Sequence, residues 1–429
     1  MDASTTPIGL TDWRDIRQPF GIRDADRLRH IYVIGKTGTG KSTLLQNMAI
    51  SDIQKGKGIC VIDPHGDIVE SLLNYVPKGR IKDVIYFNAT DIHAPTAFNP
   101  LYNIAPEHQH TIAGSLVSTF KKIWSDSWGP RLEYILTLSI RTLLCYPTAT
   151  LLDVQPLLTL KEFRNEVLNY VKDVHIRSFW FNEFDKYPPT LRMDSISPVL
   201  NKVGVFAANP VLKGIVGQQG SITMQEIVDE GKILLCNFSK GSLGEEVSSL
   251  LGSMVLTALE QAVLKRSSTP EIARRPFYTY VDEMHSFVTL AFTSILAEAR
   301  KYGLSLFLTH QYLEQLNEKV LAAIIGNVGT IISFQLGAAD AQFVAKEFYP
   351  VFTTTDIINL PKFSMYLKLM INGQTSKPFS AISLPLTKEM YYDKNAILDA
   401  SKLQSKKLLP EEQQKINPDM PMNKQLSLF

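Results

Sequence analysis

Residues 35–42 read Gly35-Lys36-Thr37-Gly38-Thr39-Gly40-Lys41-Ser42, a complete G-x-x-x-x-G-K-[ST] phosphate-binding loop. This loop restricts the fold because it works only between a strand and a helix. The strand fixes it at a sheet edge, and the helix turns its N-terminal N–H groups toward phosphate. Both flanks are present: His30-Ile31-Tyr32-Val33-Ile34 is apolar and β-prone, and Thr43-Leu44-Leu45-Gln46-Asn47-Met48-Ala49-Ile50 has a helical pattern. Gly35, Gly38 and Gly40 allow backbone conformations that approach phosphate oxygens closely. Lys36, Thr37, Thr39 and Thr43 complete the expected cradle. Lys41 is expected on the β- and γ-phosphates and the Ser42 hydroxyl on Mg²⁺. A glycine-rich turn with an incidental lysine is the alternative, and the two flanks argue against it.

With 429 residues the chain has room for two or three domains. It carries 44 Lys and Arg against 42 Asp and Glu, a net charge of +2. That balance does not advertise a polyanion partner, nor does it exclude one, because a ring can hide a basic channel inside a neutral particle. Cys60, Cys145 and Cys236 are far apart with no C-x-x-C, which argues against a zinc or disulfide framework and for a reducing compartment. The start of the chain has no basic and then apolar leader. The longest apolar candidate for a membrane span, Tyr134 to Leu144, is short and interrupted by Arg141. A cytoplasmic protein without membrane insertion is expected.

Four segments are expected along the chain. Residues 1–28 are polar and turn-rich. Residues 29–104 and 214–386 alternate buried strands with helices, the pattern of a parallel α/β sheet. Strands are expected at 30–34, 58–63, 83–87, 232–237, 277–283, 304–309 and 330–334, with a long helix from Gly244 to Lys265 and another over 291–302. Residues 105–213 break the rhythm with helical spacing at Ala113–Trp124, Arg131–Cys145, Leu160–Lys172 and Ser195–Val205, so an all-helical insertion is expected there. Residues 387–429 have the composition of a polar tail.

A phosphate-binding loop says only that a nucleoside triphosphate binds. The strand ending Val281-Asp282-Glu283 adds the chemistry of hydrolysis: an Asp at the strand's end to hold Mg²⁺, and a Glu to take a proton from the attacking water. The strand over 304–309 delivers His310 and Gln311. The Gln311 amide both donates and accepts, which suits a γ-phosphate or water sensor; His310 is the second choice, and ordinary helix capping is the alternative. Arg300 lies near the end of the helix after the Asp-Glu pair, where a cation favours the helix dipole or reaches a neighbouring subunit's nucleotide.

These motifs, in this order, resemble the HerA/FtsK superfamily of DNA-pumping ATPases: Gly35 to Ser42, Val61-Ile62-Asp63-Pro64-His65-Gly66-Asp67, Tyr280-Val281-Asp282-Glu283, and Ala299-Arg300-Lys301-Tyr302-Gly303 followed by Thr309-His310-Gln311. Within it the chain is most similar to TraG/TrwB-type coupling proteins of conjugation and type IV secretion, over about residues 20 to 385. The resemblance implies a RecA-like, mostly parallel α/β core of the additional-strand, catalytic-Glu type with an inserted all-helical domain. It implies a hexameric ring hydrolysing ATP with Mg²⁺ to move DNA, and it implies roles for Lys41, Asp282, Glu283, Gln311 and, in trans, Arg300. Arg29 stands where the family has a second nucleotide-contacting arginine. The chain departs from the family in two ways: only about thirty residues precede the loop, and Gln335 stands where relatives often have Arg.

The sequence ends Gln425-Leu426-Ser427-Leu428-Phe429, which resembles the peptide by which bacterial proteins dock on the replicative sliding clamp. Leu426, Leu428 and Phe429 would fill an apolar pocket and Gln425 would set the orientation; packing on the chain's own core is the alternative. His285 to Thr289, Lys121, Lys122 and Arg131 are candidates for DNA contact, and a solvated helix face explains the basic ones equally well. The competing readings are a HerA-like ATPase of repair or phage defence, a nucleotide-gated scaffold recruiting a relaxase, nuclease or clamp, and a protein-translocating motor.

Overall fold

A computed structural model describes the chain except residues 1, 3, 13, 15, 291, 388–392 and 408–429, with backbone only for 404–407. The Gln425–Phe429 peptide lies outside the described residues. The described residues form thirteen strands: β1 (Thr5–Thr11), β2 (Pro19–Arg23), β3 (Ile31–Ile34), β4 (Gly58–Asp63), β5 (Val84–Asn88), β6 (Ile233–Asn237), β7 (Phe277–Val281), β8 (Leu304–His310), β9 (Thr330–Ser333), β10 (Ser364–Lys368), β11 (Met370–Ile371), β12 (Gln374–Thr375) and β13 (Phe379–Ser383). Eleven of them make one sheet in the order β2-β1-β13-β10-β9-β3-β8-β7-β4-β6-β5; β11 and β12 form a separate hairpin. From β9 through β3, β8, β7 and β4 to β6 every neighbour is parallel. Strands β3, β4, β6, β7 and β8 are buried along their whole length, as strands covered on both faces must be. Strand β8 lies between the loop strand β3 and the Asp-Glu strand β7, which is the additional-strand arrangement.

The sheet is wider than the sequence reading. Strands β10, β13, β1 and β2 extend it antiparallel beyond β9. The segment 1–28, expected to be turn-rich, thus supplies β1 and β2. Its glycines and prolines read as loop signals, yet the backbones pack closely here: a Cβ on Gly21 would stand 2.3 Å from the Thr6 carbonyl oxygen. The expected polar tail also differs at its start. The helix Lys394–Lys407 buries Ile397 in the core, and the Ser401 hydroxyl accepts a hydrogen bond from the Tyr86 N–H on β5 at 2.6 Å.

Two compact units result, one of Met1–Phe87 with Met224–Ser401 and one containing Asn88–Thr223. The second holds the expected helices, among them Gln109–Ile123, Pro130–Leu143, Lys161–Leu168 and Pro189–Ala208. It begins earlier than residue 105 because Asn99 donates to the Ala149 carbonyl at 2.8 Å and Phe98 N–H to the Ile215 carbonyl at 3.0 Å. Among the described residues the stretch Glu245–Ser268, rather than Tyr134–Leu144, is long and apolar enough to cross a bilayer, but 83% of its apolar window is buried within the fold.

A buried ion pair ties the first unit together. Arg27 donates to both carboxylate oxygens of Asp52 at 2.7 and 2.8 Å, to Tyr280 Oη at 2.8 Å and to Thr6 Oγ1 at 2.8 Å. Its guanidinium lies 4.0 Å from the Tyr278 ring centroid. One cation thus joins β1, the helix Lys41–Gln54 behind the loop, and β7. Burial alone would push the Asp52 carboxyl up, but Arg27, Lys57 and the Tyr280 hydroxyl hold it below the ordinary range. A lowered carboxyl pKa stabilises the fold at neutral pH, and that stabilisation is lost as the pH falls below about 4. Asp52→Ala leaves Arg27 buried without its counter-charge and is expected to cost about 3–5 kcal/mol in denaturant unfolding. A loss under about 1 kcal/mol would show that the pair is not what joins these elements.

Candidate active site

The loop hangs between the ends of two neighbouring strands. Gly35 N–H donates to the His310 carbonyl at 3.2 Å, and Lys36 N–H to the Gln335 carbonyl at 2.9 Å. Within the loop, Gly38 and Gly40 take φ of +74° and +130°. At Gly40 there is also no room, since a Cβ would lie 2.9 Å from the Phe334 ring. The Thr39 hydroxyl closes the turn by donating to the Lys36 carbonyl at 2.7 Å. Lys41 Nζ donates to the Gly35 and Lys36 carbonyls at 2.6 and 3.0 Å. Burial pushes its pKa down, against the pull of Asp282 and Glu283. Ser42 is exposed and Thr43 half-buried on the first turn of the helix, beside the exposed Lys36, Thr37 and Gly38.

Strand β7 brings the acidic pair to the same edge. Asp282 is buried and accepts a short hydrogen bond from the Thr309 hydroxyl at the end of β8; that hydroxyl in turn accepts from Glu283 N–H at 3.1 Å. Burial pushes the Asp282 carboxyl up to about 6; the Thr309 hydrogen bond lowers it, and the Asp63 and Glu283 charges add to the rise. Glu283 has φ +45°, a left-handed conformation uncommon for a residue with a side chain.

The Glu283 carboxylate has donors on both oxygens. Oε1 takes a short hydrogen bond from Gln311 Nε2 and a contact from His65 Nε2 at 3.1 Å; Oε2 faces Lys240 Nζ at 3.4 Å. Burial raises the Glu283 carboxyl, but the His65 hydrogen bond and the charges of His65, Lys240 and His285 bring it below its ordinary value. Lys240 Nζ also donates to Ser286 Oγ at 2.7 Å. Gln311 completes a relay, for its Oε1 accepts from the Thr37 hydroxyl of the loop at 3.0 Å. The Asp63 carboxylate shapes the neighbouring turn by accepting from the N–H groups of His65, Ile68 and Val69 at 2.9, 2.8 and 3.2 Å.

The structure therefore gathers the loop, Lys41, Ser42, Asp282, Glu283 and Gln311 at the C-terminal ends of the parallel strands. Arg29 and Arg300 are not with them. Each precedes the start of its strand, β3 or β8, and these run parallel with Ile34 beside His310. Arg29 thus lies about 20 Å along the chain direction from Gly35, at about 3.3 Å per residue. Arg300 is exposed, and its carbonyl accepts from Gly303 N–H at 3.1 Å. His310, the second-choice sensor, is buried with Nδ1 3.0 Å from Tyr32 Oη, and burial first, then the charges of His285 and Lys41, pushes its pKa down to about 3. Gln335 donates to the Ile358 carbonyl at 3.0 Å, away from any charge-binding role. Sequence reasoning gave no role to His65, Lys240 or Thr309. His65 sits in a quoted motif and carried a signal; nothing local marks Lys240.

The shared fold is found in solved proteins. The bacterial conjugative coupling protein TrwBdeltaN70 matches with a TM-score of 0.63 at 16% identity, covering 87% of this chain and 89% of that one. The plasmid coupling protein TrwB in complex with ADP and Mg²⁺ matches at 0.65 and 17% identity, over 88% and 89% of the two chains. VirB4 of Thermoanaerobacter pseudethanolicus matches at 0.60 and 15%, over 91% and 99%. Among curated proteins no sequence matches significantly. The family model described as the type IV secretion-system coupling protein DNA-binding domain matches residues 20–359, and with that span inside it the chain belongs to this family.

Proposed function

We propose that the chain is the motor of a type IV secretion or conjugation coupling system, an ATPase that hydrolyses ATP to ADP and phosphate and moves DNA through a hexameric ring. The observation that carries this reading is the relay from the Thr37 hydroxyl through Gln311 to the Glu283 carboxylate, which joins the phosphate-binding loop to a base. Lys41 and the loop N–H groups hold the β- and γ-phosphates, and Gln311 senses the terminal one. Glu283 orients the attacking water and takes its proton. The exposed Ser42 hydroxyl and the Asp282 carboxylate are hard oxygen donors suited to Mg²⁺, which neutralises phosphate charge when bound. TrwB, a protein of the same fold, has been solved with an ATP analogue and with ADP and Mg²⁺, which supports this assignment.

Arg300 and Arg29 act in trans on this reading. Their place at the opposite strand ends keeps them from the loop of their own chain and suits service to the next subunit's nucleotide. DNA is gripped mainly through its phosphates, so binding weakens with salt. The Gln425–Phe429 peptide is proposed to recruit a sliding clamp, and a relaxase or nuclease partner would supply the DNA end.

Three outcomes are expected. Glu283→Gln should retain ATP binding while steady-state hydrolysis falls about 10²–10⁴-fold; wild-type turnover would reject Glu283 as the base. Mixing Arg300→Ala with Lys41→Ala protein should recover part of the ATPase that neither has alone, because mixed rings contain intact junctions; no recovery at any ratio counts against service in trans. Removing residues 425–429 should leave ATPase unchanged and abolish capture by immobilised sliding clamp, and retained capture would sink the clamp assignment.

A further inference from the structure

The donors around Glu283 come from two sides. Gln311 follows β8, on the side of β7 toward the loop strand. His65 and Lys240 follow β4 and β6, on the other side. A general base needs a lone pair free to face the water it deprotonates. Here His65 Nε2 and Lys240 Nζ occupy the carboxylate from the flank away from the phosphate-binding loop, at 3.1 and 3.4 Å. Both contacts engage the carboxylate that is to take the proton of the water.

Lys240 has a second connection. Its ammonium donates to Ser286 Oγ, so one cation bridges Glu283 to the turn that follows it, the stretch 285–289 already marked for DNA contact. Lys240 opens the short Lys240–Leu243 helix, whose next residue, Gly244, has φ +82°. Gly241, Ser242 and Gly244 are exposed, and the Lys240 side chain is 19% exposed. An ammonium at the rim of a polar turn is open to exchange of one anionic partner for another, and a phosphodiester is an anion of the right kind.

Resting on the ATPase reading above, we propose that His65 and Lys240 are positioning residues that hold Glu283 in an unreactive state, and that DNA phosphate at the 239–244 turn draws Lys240 away and frees the carboxylate for hydrolysis. Idle turnover is then suppressed by the same cation that reports the presence of the cargo.

The test is steady-state ATPase of the full chain with and without plasmid DNA at low salt, for wild type, Lys240→Met, Lys240→Arg, His65→Ala and Glu283→Gln. Lys240→Met should raise the DNA-free kcat about tenfold with little change in KM for ATP, and reduce DNA stimulation to under about twofold. Lys240→Arg should retain low basal turnover. His65→Ala should likewise raise the DNA-free kcat with KM for ATP little changed, whereas a merely structural defect would lower kcat. Unchanged or lower basal turnover in Lys240→Met, with Glu283→Gln inactive in the same assay, overturns the restraint. Wild-type stimulation by DNA in Lys240→Met overturns the release step. Full activity of Glu283→Gln rejects the base assignment instead, so the two failures are told apart.

Discussion

The site depends on the register of three parallel strands. Ile34 of β3 lies beside His310 of β8, and Val281 of β7 beside Leu308. Carried one step on, this register sets Gly35 beside Gln311 and Asp282 beside Thr309. The loop and the sensor therefore leave the sheet at one level and the acidic pair begins two residues earlier, beside Thr309, whose single hydroxyl reaches both Asp282 and the Glu283 amide. Because side chains alternate between faces, a slip of one residue in β8 would turn Thr309 and Gln311 to the wrong sides of the sheet. The register is in turn held by complete burial of these strands, where an exposed polar face is not available as an alternative.

Much of this was legible because the signals are local. The loop, the strand before it and the helix after it occupy a short contiguous stretch, and Asp282-Glu283 and Gln311 each end an apolar run that can only be a buried strand. The helical insertion announced itself through spacing. The antiparallel strands β2, β1, β13 and β10 did not: Pro19 starts the edge strand β2, Pro7 and Gly9 flank a register irregularity in β1, and the outer strands bury only scattered residues such as Ile8 and Ile22. The helix at 394–407 was hidden by its charged composition, since among its described side chains only Ile397 is a fully buried apolar one, with Leu398 packed partly against the core.

The surroundings of Glu283 were legible only in part for a different reason. His65 and Lys240 lie more than forty residues from Glu283 in sequence and reach it through crossover connections, so only the strand order β7-β4-β6 brings them together. Arg27 poses the same difficulty. In the sequence it is one of several basic residues in a polar stretch; in the fold it is buried beneath Tyr278 and paired with Asp52. Buried charges of this kind fix how the helix behind the loop meets β7 more than they add net stability.

The polarity of the strands has a consequence for an assembly. On the proposed reading each subunit binds its own nucleotide at one end of the sheet and presents Arg29 and Arg300 to a neighbour's from the other. The buried parallel strands β3 and β8 run between these two ends. A ring built this way is handed: each subunit's arginines serve the neighbour on one side, and its own nucleotide is served from the other.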